Sequence, residues 1–211
     1  TILSGGVIIE HYEWIPTFGV SLSLRLGLLQ WIFAMIVTWI GTGVLLYCRW
    51  YFENSRHSRT AILLTAFAGS MLGLVTSDDL IMLYVFWELT TVLSYLLIGH
   101  DPTRRANRGA ANTALIVTTF GGLAMLVGIV LLGESAGTYR ISALLAEPQT
   151  GTVIAWGIGL LLVGAITKSA QFPFHFWLPG AMAAPTPVSA YLHAAAMVKA
   201  GVYLVARFAP G

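Results

Sequence analysis

The stretch that decides the fold runs from Gly164 to Gly201 and reads GAITKSAQFPFHFWLPGAMAAPTPVSAYLHAAAMVKAG. Its surroundings are apolar enough for a bilayer interior, yet it carries four titratable side chains: Lys168, His175, His193 and Lys199. A charged side chain at the centre of a membrane-spanning helix costs about 2.5–3.5 kcal/mol, so such residues usually face a bundle interior, a partner or water. Prolines at positions 173, 179, 185 and 187 also prevent an unbroken helix. A broken helix with buried titratable groups is typical of an ion pathway.

The composition of the whole chain indicates a membrane protein. Of the 211 residues, only 9% are charged and 57% are hydrophobic, whereas soluble domains carry about 25% charged residues. The net charge of +2 is too small and too scattered for a nucleic-acid-binding protein. Cys48 is the only cysteine, which excludes an intrachain disulfide. Because the chain begins at Thr1 without a signal-peptide pattern and stops just after an apolar segment, we expect a fragment of a longer membrane protein.

Six apolar segments of spanning length predict an all-α fold, a polytopic transmembrane helix bundle. They run over about Leu28–Cys48, Ala61–Thr76, Leu80–Ile98, Ala110–Leu132, Thr152–Leu178 and Thr186–Val205. The fifth, residues 152–178, is predicted to be discontinuous at Pro173. Residues 1–26 alternate polar and apolar side chains and are rich in aromatics, which predicts an extended or interfacial lead-in before a transmembrane domain over residues 27–211.

The basic residues of the connections predict the orientation. Two loops on one side, residues 49–59 and 99–109, together carry six arginines, at positions 49, 56, 59, 104, 105 and 108. The opposite side carries three, Arg25, Arg140 and Arg207. An excess of basic residues marks the cytoplasmic side, so both loops are predicted to be cytoplasmic and the lead-in extracytoplasmic.

Two oppositely charged residues lie at membrane depth. Glu88 stands near the middle of the third predicted helix, and Lys168 follows a long run without any charge. Intramembrane ionisable groups are functional by default, which makes both candidates for a proton relay. Two structural interpretations stay open: a Glu–Lys pair that only fixes the helix register, and a lysine that snorkels from a helix end.

Four further residues are candidates with open alternatives. His193 and Lys199 share the sixth predicted helix but would point to different faces of a regular helix, so they would connect different neighbours. His193 is either a proton gate or a neutral imidazole bonded to another helix. His175 is either a relay member or a partner for carbonyls freed by Pro173. Asp78 either caps the third helix together with Ser77 or serves cation entry. No nucleotide, cofactor or metal motif is present in the sequence.

These stretches carry a family resemblance. FWELT around Glu88, TKSAQFPFHFWLP around Lys168 and APTPVSAYLHAAAMVKAGVYL around His193 resemble the antiporter-like proton-translocating membrane subunits. That family includes the large subunits of respiratory complex I and of Mrp-type cation/proton antiporters. The likeness covers about Trp14 to Arg207. Within the family, VKAG and FPFH are most similar to the large A subunit of Mrp-type Na+/H+ antiporters.

The resemblance implies a function and roles for individual residues. Glu88 matches the key glutamate of the family's fifth helix, Lys168 the lysine of its broken seventh helix, and His193 and Lys199 the relay of its eighth. The six segments would be helices three to eight, half of an inverted-repeat transporter fold. The protein would be a subunit of a monovalent cation (Na+)/proton antiporter in the cell membrane, a secondary transporter and not an enzyme. It would need no cofactor, and its partners would be other membrane subunits, Na+, H+ and lipid.

Three departures from the family pattern concern the periphery. The family has Asp-Gly where this chain has Gly27-Leu28, an acidic or amide residue at Gly180, and a glutamate at Ala183. The residues of the central relay are all present. The three departures remove polar groups near the lead-in and the break, which puts a cation-specific step at these places in question. Two alternatives to the antiporter stay open: a proton-pumping membrane subunit of an NADH:quinone oxidoreductase-like assembly, and a membrane scaffold without transport.

Overall fold

The structure, a computed structural model, describes residues 2, 6–15, 20–52, 55–101, 103–147 and 150–209. Its long helices are α1 (Leu28–Tyr51), α2 (Ser55–Thr76), α3 (Leu80–Ile98), α4 (Arg105–Ala136) and α6 (Thr152–Lys168). The shorter helices are α5 (Ile141–Ala146), α7 (Trp177–Ala181), α8 (Thr186–Ala190) and α9 (Met197–Phe208). The chain is therefore mostly helical, as the apolar segments predict.

Five segments of the described chain are long and apolar enough to cross a membrane. They are Leu28–Tyr51, Ser58–Thr76, Leu80–Ile98, Arg105–Ala136 and Thr186–Phe208. These segments make the chain a multi-pass membrane protein with a helical bundle. The predicted count of six spans is not confirmed, because α6 has only 17 residues and extends about 26 Å, less than a hydrocarbon core of about 30 Å.

The predicted break in the fifth segment is present, but it begins before Pro173. Helix α6 ends at Lys168, and Ala170 adopts the left-handed conformation with φ 51°. The amide of Gln171 donates to the carbonyl of Ile166 at 2.9 Å and that of Ala170 to Thr167 at 3.2 Å. This is the bonding pattern of a Schellman motif, which satisfies the last carbonyls of the helix. A 3-10 turn, Phe174–Phe176, then leads into α7.

The sixth predicted helix is interrupted as well. Helix α8 continues into a π-helical turn, Tyr191–Ala195, and Ala196 leaves helical geometry with φ −130° and ψ −76° before α9 begins. His193 lies in this π turn and Lys199 in α9. The angular relation expected from one regular helix therefore does not apply to these two residues.

The described residues of the lead-in form a hairpin that the sequence did not reveal. Strands β1 (Ile8–Ile15) and β2 (Val20–Leu26) pair antiparallel, with Ile8 opposite Leu26. The fold is therefore not purely α-helical. An isolated bridge from Leu24 to Ser77 attaches the hairpin to the turn between α2 and α3.

Helices α4 and α6 pack closely because glycines line their contact. A β-carbon at Gly128 would lie 2.6 Å from the carbonyl oxygen of Gly157, and one at Gly164 would lie 2.7 Å from the β-carbon of Met125. Small residues allow helix backbones to approach in membrane proteins. This contact fixes the end of α6, and with it Lys168, against the bundle interior.

Candidate functional site

Lys168 lies in the interior of the bundle, at the C-terminal end of α6. Its side chain is wholly buried, and its ammonium group lies 4.5 Å from the ring centroid of Trp87. The Nζ atom donates to the Trp87 carbonyl and to Thr90 Oγ1, both at 2.6 Å, and to Thr91 Oγ1 at 3.0 Å. We call these three acceptors on α3 the lysine cradle.

The lysine cradle matches the hydrogen-bonding capacity of a charged lysine. An ammonium group has three N–H donors and no acceptor. Both hydroxyls use their own proton on the Trp87 carbonyl, at 2.7 Å for Thr90 and 3.1 Å for Thr91. Their lone pairs are thereby directed at Lys168. The cradle thus holds a buried cation with neutral groups alone, which are individually weaker partners than a carboxylate.

Glu88 lies beside the lysine cradle without joining it. Its side chain is half-buried, and the buried Oε1 atom has no hydrogen-bond partner. Neither of the ion pairs found among the described residues joins Glu88 to Lys168. The carboxylate occupies space that Gly122 leaves open, because a β-carbon there would collide with Oε1. Glu88 and Lys168 therefore do not form a direct ion pair, and the alternative that they fix the helix register stays a prediction.

Trp177 connects the end of α6 to the π turn. Its indole Nε1 donates to the Thr167 carbonyl at 3.0 Å, and its ring lies 6.3 Å from the His193 ring, centroid to centroid. Both nitrogens of His193 are buried without a hydrogen-bond partner; the Ala181 backbone is near, but no bond of ordinary geometry forms. His193 is therefore placed next to the residues that flank Lys168, with both nitrogens available.

The structure does not bring Lys199 and His175 to this cluster. Lys199 is exposed on α9, and no hydrogen bond or ion pair to it is found among the described residues. His175 is exposed in the 3-10 turn and stacks on Phe172 with ring centroids 5.9 Å apart. Their places in a relay stay predictions.

Asp78 does not cap α3, so that interpretation is wrong. Asp79 is the N-cap: its Oδ1 accepts from the amides of Ile81 at 2.9 Å and Met82 at 3.1 Å. Asp78 is wholly buried, pairs with Arg207 Nη2 at 2.7 Å and accepts from Ser142 Oγ at 2.5 Å. Sequence reasoning failed because neighbouring aspartates are both good caps and only the turn geometry chooses between them. Cation entry through Asp78 stays a prediction.

Burial raises the pKa of Asp79 above its ordinary value, although the two amide hydrogen bonds and the charge of Arg140 oppose this effect. Asp79 lies just outside the spanning segment that begins at Leu80. Its carboxyl group therefore holds a proton more tightly than that of an exposed aspartate. Elsewhere in the described ranges, no three His, Cys, Asp or Glu side chains come together as a metal site.

Sequence reasoning missed Thr90, Thr91, Gly122 and Arg207. The spacing held a signal for Thr91, because a residue three positions after Glu88 lies on the same face of a regular helix, but none for Thr90, which is rotated by about 200° from Glu88. No signal identified Arg207 as the partner of Asp78, since the two are 129 positions apart and the pairing depends on the packing of α9.

Comparison with known proteins places this geometry among membrane transport proteins. Residues 77–210 match the family model described as NADH:quinone oxidoreductase/Mrp antiporter, transmembrane. The match covers α3 to α9 and so includes the lysine cradle, Glu88 and His193.

Two curated relatives are similar over the whole chain. The A/B subunit of a probable K(+)/H(+) antiporter of Rhizobium meliloti (strain 1021) is 50% identical over 217 residues, covering 99% of this chain and 21% of the relative. The A subunit of the Na(+)/H(+) antiporter of Alkalihalophilus pseudofirmus is 46% identical over 216 residues, covering 100% of this chain and 27% of the relative. The chain therefore spans about a quarter of the length of the curated relatives it matches.

A solved structure has the same fold. A chain of the Mrp complex from Dietzia sp. DQ12-45-1b superimposes with a TM-score of 0.89 at 43% sequence identity. The superposition covers 96% of this chain and 23% of that one.

Proposed function

The chain belongs to the NADH:quinone oxidoreductase/Mrp antiporter transmembrane family, and from that premise we propose that it is part of an Mrp-type antiporter subunit exchanging a monovalent cation for protons. It acts as a secondary transporter within a complex of several membrane subunits in the cell membrane, with loops 49–59 and 99–109 in the cytoplasm. The names of the relatives, one a subunit of a Na(+)/H(+) antiporter and the other of a probable K(+)/H(+) antiporter, support a monovalent cation.

One observation carries the proposal: a wholly buried lysine is held by neutral acceptors while a carboxylate lies beside it without an ion pair. A structural pair would be closed, because separating two buried opposite charges forfeits their attraction. A lysine that has two alternative partners, the lysine cradle and Glu88, can change its proton affinity when it moves between them. That change is the physical requirement for proton transfer.

The relay runs from Glu88 to Lys168 and on to His193 and Lys199, with His175 beside the break in the helix. Trp177 supports the middle step, since it contacts both the Thr167 carbonyl and the His193 ring. His193 supports it too, because an imidazole with two unoccupied nitrogens can accept a proton on one and release it from the other. The last step to the exposed Lys199 requires elements of the full-length protein beyond the described residues.

Proton release driven by sodium tests the proposal. The full-length chain is expressed with its partner subunits in cells that lack other antiporters, and inside-out vesicles are prepared. After respiration acidifies the lumen, NaCl is added and a pH-sensitive dye reports the lumenal pH. We expect Glu88→Gln and Lys168→Met to lower the rate of sodium-dependent proton release by about 100-fold or more, the usual effect of losing a proton-transfer group.

Glu134→Gln is the matched control, because Glu134 is a carboxylate at the far end of α4 that accepts a bond from Tyr139. It should retain the wild-type rate. If the substitutions lower the amount of assembled complex but leave the exchange rate per complex unchanged, the two residues have a scaffold role. Proton uptake that requires NADH oxidation and ignores sodium would identify a redox-driven pump.

A further inference from the structure

A cavity of about 570 Å³ opens at the end of the bundle where α1 and α3 end and α2 and α4 begin. Its apolar lining comes from the buried or half-buried Leu63, Leu96 and Leu97. Its charged lining consists of the exposed Arg59 and Arg104 and the half-buried Asp101. The residues of the proposed relay do not line it. The cavity is thus amphipathic and separate from the Lys168 site.

The charge around this cavity is strongly positive. The described residues at this end of the bundle include the exposed arginines 49, 59, 104, 105 and 108. Asp101 is the acidic residue described at this end of the bundle, and its carboxylate already lies 3.4 Å from Arg104 Nε. Arg59 forms no hydrogen bond or ion pair with another described residue. An excess of cationic side chains therefore surrounds a cavity large enough for a small ligand.

The aromatic residues at the end of α1 place the cavity at the level of the lipid headgroups. Trp50 and Tyr51 are 78% and 42% exposed, and Tyr51 also lines the cavity. Exposed Trp and Tyr side chains at a helix end are typical of the membrane–water interface. A ligand of this cavity would therefore have its charged part among the phosphates of the bilayer.

We propose that this cavity binds the phosphate headgroup of an anionic phospholipid. Guanidinium groups such as those of Arg59 and Arg104 bind phosphate oxygens in a bidentate manner, and the hydroxyl of Thr60, which also lines the cavity, can donate a further bond. The leucines contact the apolar part of the lipid below the phosphate. Basic pockets between membrane helices bind acidic headgroups by this combination of charge and depth.

Native mass spectrometry of the full-length complex tests the proposal. The complex is released from nanodiscs of phosphatidylcholine with a minor fraction of phosphatidylglycerol, and the ratio of retained lipids is measured. We expect the doubly substituted Arg59→Gln, Arg104→Gln protein to lose its preference for phosphatidylglycerol by about fivefold for each arginine removed, the usual strength of a basic residue at an anionic membrane surface.

Two further variants make the result decisive. Arg140→Gln removes the same charge at the opposite end of the bundle and should retain the preference. Arg59→Lys, Arg104→Lys keeps both charges but loses the bidentate geometry, so it should retain more of the preference than the double glutamine variant does and less than wild type. Equal retention of phosphatidylglycerol in all variants would overturn the proposal. Displacement of phosphatidylglycerol by added inorganic phosphate would also overturn it, because the cavity would then be a site for a soluble anion.

Discussion

Lys168 is the residue on which the proposed chemistry depends. A wholly buried lysine is costly, and this one is stabilised by three neutral acceptors and the face of Trp87. Gly122 keeps space for the Glu88 carboxylate next to α4. The two charges are thereby near each other but not paired. A site that served stability alone would have closed the pair or avoided both charges.

Removing the threonine hydroxyls tests the lysine cradle. In the Thr90→Val, Thr91→Val protein, Lys168 loses two of its acceptors while the side-chain volumes are kept. Hydrogen bonds to a charged group contribute about 1.5–3 kcal/mol each, so we expect the rate of sodium-dependent proton release to fall about tenfold or more and its pH dependence to shift. The measurement is the dye assay repeated over a range of pH.

Thr90→Ser, Thr91→Ser keeps both hydroxyls and should restore the wild-type pH dependence. Thr113→Val is the surface control, since the exposed Thr113 hydroxyl donates to the Gly109 carbonyl of its own helix and has no other partner among the residues that the structure describes. An unchanged pH dependence in the double valine protein would show that the cradle has no part in proton transfer.

At the scale of elements, hydropathy predicts the helices well and their interruptions poorly. The third predicted helix, Leu80–Ile98, has the observed bounds, because apolar composition alone requires a helix in a membrane. The break after α6 begins at Lys168 instead of Pro173, since the Schellman motif at Ala170 ends the helix earlier. The π turn at Tyr191–Ala195 depends on tertiary packing, which hydropathy does not contain.

The start of α3 provides a prediction at this scale, through the cap at Asp79. Asp79→Ala removes the acceptor of two amide hydrogen bonds and should lower the free energy of unfolding by about 1 kcal/mol. Asp79→Asn keeps an acceptor and a good capping residue, so it should retain α3. Thermal unfolding of the purified full-length complex measures both variants, and equal stability of the alanine and asparagine proteins would refute the cap.

The stability difference between wild type and the Asp79→Asn protein has a defined pH dependence. Burial raises the pKa of Asp79 in the folded state above its ordinary value of 3.8, so the folded protein binds this proton more tightly than the unfolded protein does. The resulting stabilisation is complete below pH 3.8 and is lost as the pH rises through the folded-state pKa. The stability of wild type relative to Asp79→Asn should therefore decline from acidic towards neutral pH, and a difference that grows instead would contradict the sign.

At the scale of the whole molecule, the Asp78 carboxylate joins elements that are distant in sequence. It binds Arg207 of α9 and Ser142 of α5, while its backbone amide donates to the Ser23 carbonyl of β2 at 2.8 Å. The hairpin, the turn between α2 and α3, and the end of α9 therefore meet at one end of the bundle.

A double-mutant cycle on Asp78 and Arg207 separates stability from exchange. Arg207→Met leaves the Asp78 carboxylate buried without its cation and should lower the free energy of unfolding by about 3–5 kcal/mol. Asp78→Asn combined with Arg207→Met removes both charges and should recover most of that loss, because each charge is costly only when the other is absent. Unfolding of the full-length complex is measured for wild type, Arg207→Met, Asp78→Asn and the double variant, and additive losses would contradict the coupling. If Asp78 serves only to hold the bundle together, the double variant should exchange sodium for protons at the wild-type rate per folded complex. A lower rate in a stable double variant would instead support cation entry through Asp78.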